Sequence, residues 1–210
     1  TNWAMPSLRC APGKQHDGPL YVWLNDRLEK GFTAVLTTLF DIDQPNSGGY
    51  AFPNNTRWPG DGSYVPLNPA YFGALDVKMQ ALWDAGLVVA CHPTWIGKQY
   101  SFEPEDAAWI WRYLLARYGA YDLILSVSGE YHLGYEGNAA GRPWAKEEYD
   151  ALGQVMAGSN AYGHPLSIHP RGPIYNRDGV VSNIHTASSG LDFHNSEWLD
   201  HNWIQAGQHS

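Results

Sequence analysis

Short apolar stretches alternate with helical patterns along this chain, and that alternation limits its fold more than any other feature. The stretches are Thr33 to Phe40, Leu87 to His92, Leu123 to Ser128, Leu166 to His169 and, more weakly, Asn202 to Ala206. All but the last are short and apolar throughout, the pattern of strands covered on both faces by helices. Helices are predicted between them. The first opens at Gly18-Pro19 and stops at Gly31, with proline at the first helical position. The second opens at Asn68-Pro69, carries Phe72, Leu75, Met79, Leu82 and Trp83 at helical spacing, and ends at Gly86. Pro104 opens the third, whose stripe of Ala107, Ile110, Trp111, Leu114 and Tyr118 runs to Gly119. The fourth runs from about Trp144 to Ala157, with Tyr149, Leu152 and Met156 inward. Strand starts near 33, 87, 123, 166 and 202 are spaced by 54, 36, 43 and 36 residues, a βα unit repeated. Repetition of that unit gives a parallel sheet with right-handed crossovers, either an open doubly wound sheet or a closed (β/α)8 barrel.

No strand is followed by Gly-x-Gly-x-x-Gly or by Gly-x-x-x-x-Gly-Lys-Ser/Thr, so a phosphate-bearing cofactor has no visible cradle and the Rossmann alternative loses its support. A complete (β/α)8 TIM barrel takes about 250 residues, whereas 210 residues here show five strands. The fold class expected is therefore α/β, an incomplete (β/α)8 TIM barrel comprising strands 2 to 6 with their intervening helices. No internal repeat, low-complexity tract or linker divides the chain, so residues 1–210 read as one domain.

Composition narrows the functional classes. No apolar run approaches the roughly 18 to 20 residues of a membrane span. With 21 Asp and Glu against 13 Lys and Arg, a net charge of −8 and no basic cluster, a nucleic-acid partner is not expected. Thr1-Asn2-Trp3-Ala4-Met5-Pro6 has neither a basic n-region nor an apolar h-region, so a processed or truncated start is expected rather than a signal peptide. Cys10 and Cys91 define no disulfide framework, although one bridge between them is possible. The chain is rich in aromatic residues, with ten Trp, thirteen Tyr and six Phe, beside nine His. Flat apolar faces with polar edges suit sugars, whose C–H faces stack while their hydroxyls take hydrogen bonds. The same residues could equally form a Trp-rich core.

Each strand ends in side chains able to do chemistry: Asp41 and Asp43, then His92 and Trp95, then Glu130 and His132, then His169, then Gln208 and His209. In a barrel such ends converge on one face, where active sites are built. Leu123-Ile-Leu-Ser-Val-Ser-Gly-Glu130 places a carboxylate at the tip of a buried strand, where partial desolvation suits a general acid. A carboxylate there could also merely tie down a loop. His92-Pro93 and His169-Pro170 share a strand, a histidine at its tip and a proline that forbids continuation. Such histidines either meet substrate hydroxyls or cap the strand structurally. As metal ligands, His92, His132, His169 and His209 lack the usual His-x-His pair, and no His-Glu-x-x-His or Cys-x-x-Cys occurs. No cofactor is expected. Serine chemistry lacks its Gly-x-Ser-x-Gly elbow, and Cys91 reads as core. The long Gly-, Pro- and Asn-rich segment from Asp41 to Asn68, with Tyr50, Phe52, Trp58 and Tyr64 interleaved, reads as a binding lip or a self-packed loop.

Several short motifs occur in order: Thr1-Asn2-Trp3, Arg27-Leu-Glu-Lys-Gly-Phe-Thr33, Asn68-Pro-Ala-Tyr-Phe72 with Asp76, Pro93-Thr-Trp95, Arg117-Tyr118, Gly129-Glu130, His169-Pro-Arg-Gly172 and Trp198-Leu-Asp-His-Asn-Trp-Ile-Gln205 with Gly207 and His209. Together they resemble the barrel domain of glycoside hydrolase family 140, the apiosidase-like enzymes, over nearly the whole chain. The resemblance implies a (β/α)8 barrel that cleaves glycosidic bonds of plant cell-wall polysaccharide with two carboxylates. It implies that Thr1 follows directly on strand 1 and that Glu130 is the acid/base at the end of strand 4, where members often carry Asp. The partner carboxylate is then expected beyond His209, towards strand 7, and the 210 residues alone are expected to be inactive. A sugar subsite is expected at Asn2, Trp3, Asp41, His92, Trp95, Tyr131, His132, His169, Gln208 and His209. An extracellular or periplasmic address fits such a substrate. Two other functions share the pattern: a noncatalytic carbohydrate-binding barrel, and a metal-dependent hydrolase using the strand-end histidines.

Overall fold

The computed structural model describes residues 19–39, 46–52, 67–93, 103–133, 143–175, 181–183 and 187–205. Within them the alternation resolves as α1 (Pro19–Glu29), β1 (Ala34–Thr38), α2 (Pro69–Asp84), β2 (Val88–His92), α3 (Pro104–Tyr118), β3 (Leu123–Ser126), α4 (Lys146–Ser159) and β4 (Leu166–Ser167). The helix boundaries follow local chemistry. Proline begins α1, α2 and α3, where its missing N–H costs no helical hydrogen bond. Gly31 and Gly86 take positive φ of 75° and 73° after α1 and α2, a conformation that only glycine enters without strain. Asn68 caps α2, its side-chain oxygen accepting the Ala70 N–H at 3.0 Å. Its amide donates to the carbonyls of Gly48 and Tyr50 at 2.9 and 2.8 Å, which ties residues 46–52 to the start of α2. The fourth helix starts two residues later than its apolar pattern indicated, because the Glu148 carboxylate accepts the Ala145 N–H at 2.7 Å and fixes the first turn there.

All four strands are parallel and lie in the order β1-β2-β3-β4. Strand order that follows chain order has no reversal point, unlike a doubly wound sheet, and is that of a barrel. The molecule is thus an α/β arc of a (β/α)8 barrel. Its core lies where the strand residues Val35, Val89, Leu123 and Leu125 and the helix residues Leu75, Met79, Ile110, Trp111, Leu114, Leu152 and Met156 are buried together. Each such side chain contributes about 1.5–3 kcal/mol by leaving water. Cys91 belongs to this core: it is fully buried in β2, and burial pushes its thiol up to about 12. Cys10 lies outside the described residues.

Three features depart from the sequence pattern. The run Asn202 to Ala206 adds no strand to the parallel sheet among the described residues; Ile204 makes an isolated antiparallel bridge to Ser188. The edge of β4 is met a little earlier, at Asp200 and His201. The Asp200 carboxylate accepts the Leu166 N–H at 2.8 Å, the Asp200 N–H donates to the Leu166 carbonyl at 2.9 Å, and the Ser167 hydroxyl donates to the His201 carbonyl at 2.6 Å. Side chains there replace a main-chain ladder, which no apolar periodicity reports. A small antiparallel hairpin, β5 (Ile174–Tyr175) and β6 (Val181–Asn183), and a short helix, α5 (Gly190–Phe193), fill the stretch after β4. Two- to four-residue elements carry too little periodicity to be read. Among the described residues no helix is long and apolar enough to cross a membrane.

Candidate functional site

Beyond Ser126, β3 continues to pair with the chain after β4. The Val127 N–H donates to the Ser167 carbonyl at 2.9 Å, the His169 N–H to Ser128 at 3.1 Å, and the Tyr131 N–H to His169 at 3.1 Å. This extension delivers Gly129 and Glu130 to the C-terminal end of the sheet. Glu130 sits there with φ 46°, the one non-glycine residue in the left-handed region among those described. Holding a side-chain-bearing residue in that region costs about 1–2 kcal/mol, so its surroundings must hold it in place. They do so at two points. The Glu130 N–H donates to Nδ1 of His169 at 3.3 Å, and the Gln205 side-chain amide donates to Oε1 of Glu130 at 3.1 Å.

His169 is itself set in an aromatic cluster. Its ring meets His92 edge-on at 5.7 Å and Trp203 at 5.4 Å, and His92 meets Trp203 at 6.3 Å. The tips of β2 and β4 and the segment after α5 therefore converge beside Glu130. Burial, together with the nearby His169, lowers the His92 imidazole to about 3; burial lowers His169 to about 4. Both rings are neutral at pH 7; Nδ1 of His169 is taken by the Glu130 N–H, which leaves Nε2 as its donor, and His92 is fully buried behind it.

Tyr131 and His132 turn into a second cluster. Tyr131 is fully buried, with its ring 5.2 Å from Phe193 and 5.9 Å from Tyr149, and its hydroxyl donates to Asp192 at 3.0 Å. His132 places Nε2 3.4 Å from the same carboxylate and accepts the Arg171 N–H on Nδ1 at 3.3 Å. Asp192 also lines a cavity of about 530 Å³ with Lys146, Asp150 and Glu197, which Glu130 does not line.

Of the site residues expected from sequence, Glu130, His92 and His169 are brought together, while Tyr131 and His132 gather around Asp192. Asn2, Trp3, Asp41, Trp95, Gln208 and His209 lie outside the described residues. Trp203, Gln205 and Asp192 were missed. The first two stand within the motif Trp198 to Gln205, inside the run 202–206, whereas a strand there would put its tip residues beyond 206. Among the described residues no group of three or more His, Cys, Asp or Glu side chains is arranged to hold a metal ion.

Solved structures share this architecture. A glycoside hydrolase family 5 protein from Bacteroides vulgatus superposes with a TM-score of 0.68 at 21% identity, over 99% of this chain and 39% of its own. Another, described as a glycoside hydrolase, gives 0.66 at 19% identity over 98% of this chain and 40% of its own. At such identities the likeness is one of fold, and the chain spans about two fifths of the length of either structure. No curated protein matches it. The family model described as the apiosidase-like catalytic domain matches residues 1–210, so the chain belongs to the apiosidase-like family.

Proposed function

We propose that this chain forms part of the catalytic barrel of a glycoside hydrolase that acts on plant cell-wall type polysaccharide or oligosaccharide, with Glu130 as general acid/base. The observation that carries the reading is the double restraint on Glu130: its backbone is bound by His169 and its carboxyl by Gln205. A carboxylate that only tied down a loop would not require a strained backbone, whereas a proton donor must be aimed to within a fraction of an ångström. In the reaction, Glu130 gives its proton to the glycosidic oxygen as the bond from that oxygen to the anomeric carbon breaks. A second carboxylate, expected from outside these 210 residues, either attacks the anomeric carbon or activates water. Its distance from Glu130, about 5–5.5 Å or about 6.5–9.5 Å, sets the stereochemical outcome. The half-buried Trp203 lines the adjoining sugar subsite, backed by the neutral His169 and the fully buried His92. An extracellular or periplasmic address suits the substrate.

The test is Glu130→Gln in the full-length protein, followed by reducing-end release from plant cell-wall polysaccharide. Loss of about 100-fold or more in kcat is expected, the scale of a general acid. Undiminished release would remove Glu130 from the mechanism. A wild-type protein that binds the polysaccharide and releases nothing would indicate a noncatalytic binding barrel.

A further inference from the structure

Past the ends of β3 and β4, two amides donate to imidazole nitrogens instead of carbonyls. The Glu130 N–H donates to Nδ1 of His169, and the Arg171 N–H donates to Nδ1 of His132, both at 3.3 Å and both across 39 residues of sequence. The two bonds run in opposite directions between the same two segments, and the main-chain bond from Tyr131 N–H to the His169 carbonyl, at 3.1 Å, lies between them. An amide nitrogen can only donate, so each Nδ1 must present its lone pair and each imidazole must carry its proton on Nε2. Asp192 gives that proton an acceptor on His132, 3.4 Å from Nε2.

We infer that His169 is the positioning residue for Glu130: as the Nε2–H tautomer it holds the Glu130 amide and so keeps the carboxyl aimed, while His132 closes the reciprocal bond from the opposite segment. The clasp extends the parallel ladder across the sharp turn at Gly129-Glu130, where the left-handed backbone carries the chain out of strand geometry. Trp203 and His92, each edge-on to His169, fix the ring plane. Low proton affinity of the buried ring, about 4, keeps the accepting lone pair available at neutral pH. The catalytic consequence rests on the glycosidase reading; the tautomer does not.

The experiment uses the full-length protein and three substitutions of His169. Asparagine places an amide oxygen near the position of Nδ1, glutamine reaches only the position of Nε2, and alanine reaches neither. With plant cell-wall polysaccharide as the probe, His169→Ala and His169→Gln are expected to lower kcat by about 10- to 100-fold, the effect of a misplacement near 1 Å. KM should change far less. His169→Asn is expected to be about tenfold more active than either. Asn no better than Ala, with all three variants folded by circular dichroism, would overturn the inference. In parallel, nitrogen-15 NMR of the wild-type imidazoles should show an unprotonated Nδ1 and a protonated Nε2 at His169. A protonated Nδ1 would overturn it whether or not the protein hydrolyses polysaccharide, whereas failure of Glu130→Gln to affect release would count against the glycosidase reading alone.

Discussion

Glu130 illustrates what a single residue can and cannot reveal. Its type and its place at the end of Leu123 to Ser128 mark it in the sequence, because strand ends of a barrel converge on one face. Its positive φ and its partner Gln205, 75 residues away, appear only in three dimensions. Gln205 makes a test independent of the imidazoles. Gln205→Ala removes the donor on Oε1, and kcat/KM on plant cell-wall polysaccharide is expected to fall about tenfold, equivalent to about 1.4 kcal/mol of transition-state stabilisation. Gln205→Glu should not restore it, since a carboxylate offers Oε1 no N–H to accept. Equal activity of wild type and both variants would show that the 3.1 Å contact does not orient the acid.

Among the elements, helices were the most legible, because their signals are local: a proline at the first turn, a glycine after the last, and an apolar stripe between. The strands were legible as buried apolar runs, but the pairing of β4 was not, since two ladder residues and several side-chain bonds share the work. Packing of α4 against the residues after α5 was likewise invisible. Gly153 on α4 is pressed against Trp198 so closely that an added Cβ would lie 2.3 Å from the indole ring. The indole N–H donates to Asp150 on the same helix at 2.8 Å, which prevents the ring from giving way cheaply. Gly153→Ala is therefore expected to destabilise the fold by about 1–3 kcal/mol, the usual cost of overpacking, although alanine is the better helix former by about 1 kcal/mol. Urea denaturation would measure this; an unchanged midpoint would mean that Trp198 is free to move.

The whole molecule concentrates buried imidazoles where the strand tips meet, with consequences for its stability in acid. His92 and His169 take up protons near 3 and 4 when folded, against an ordinary 6.5. In the window between those values the unfolded chain binds protons that the fold does not, so stability rises with pH. The contribution is fully present above about pH 6.5 and is lost as pH falls towards 4 for His169 and towards 3 for His92, by about 2 kcal/mol for each histidine at pH 5. Urea midpoints measured from pH 7 to pH 5 should fall accordingly, and His169→Asn should flatten the slope; a slope equal to that of wild type would assign the effect elsewhere. The sequence by itself determined the βα alternation, the α/β class, most helix ends and the place of Glu130 just past a buried strand, because each is written in spacing and residue type over a few turns. Only the tertiary structure decided which tips meet. The partners of Glu130, the tautomers of His132 and His169 and the side-chain seam along β4 join segments 34 to 75 residues apart. Contacts of that kind depend on how the layers pack, and no local pattern encodes them.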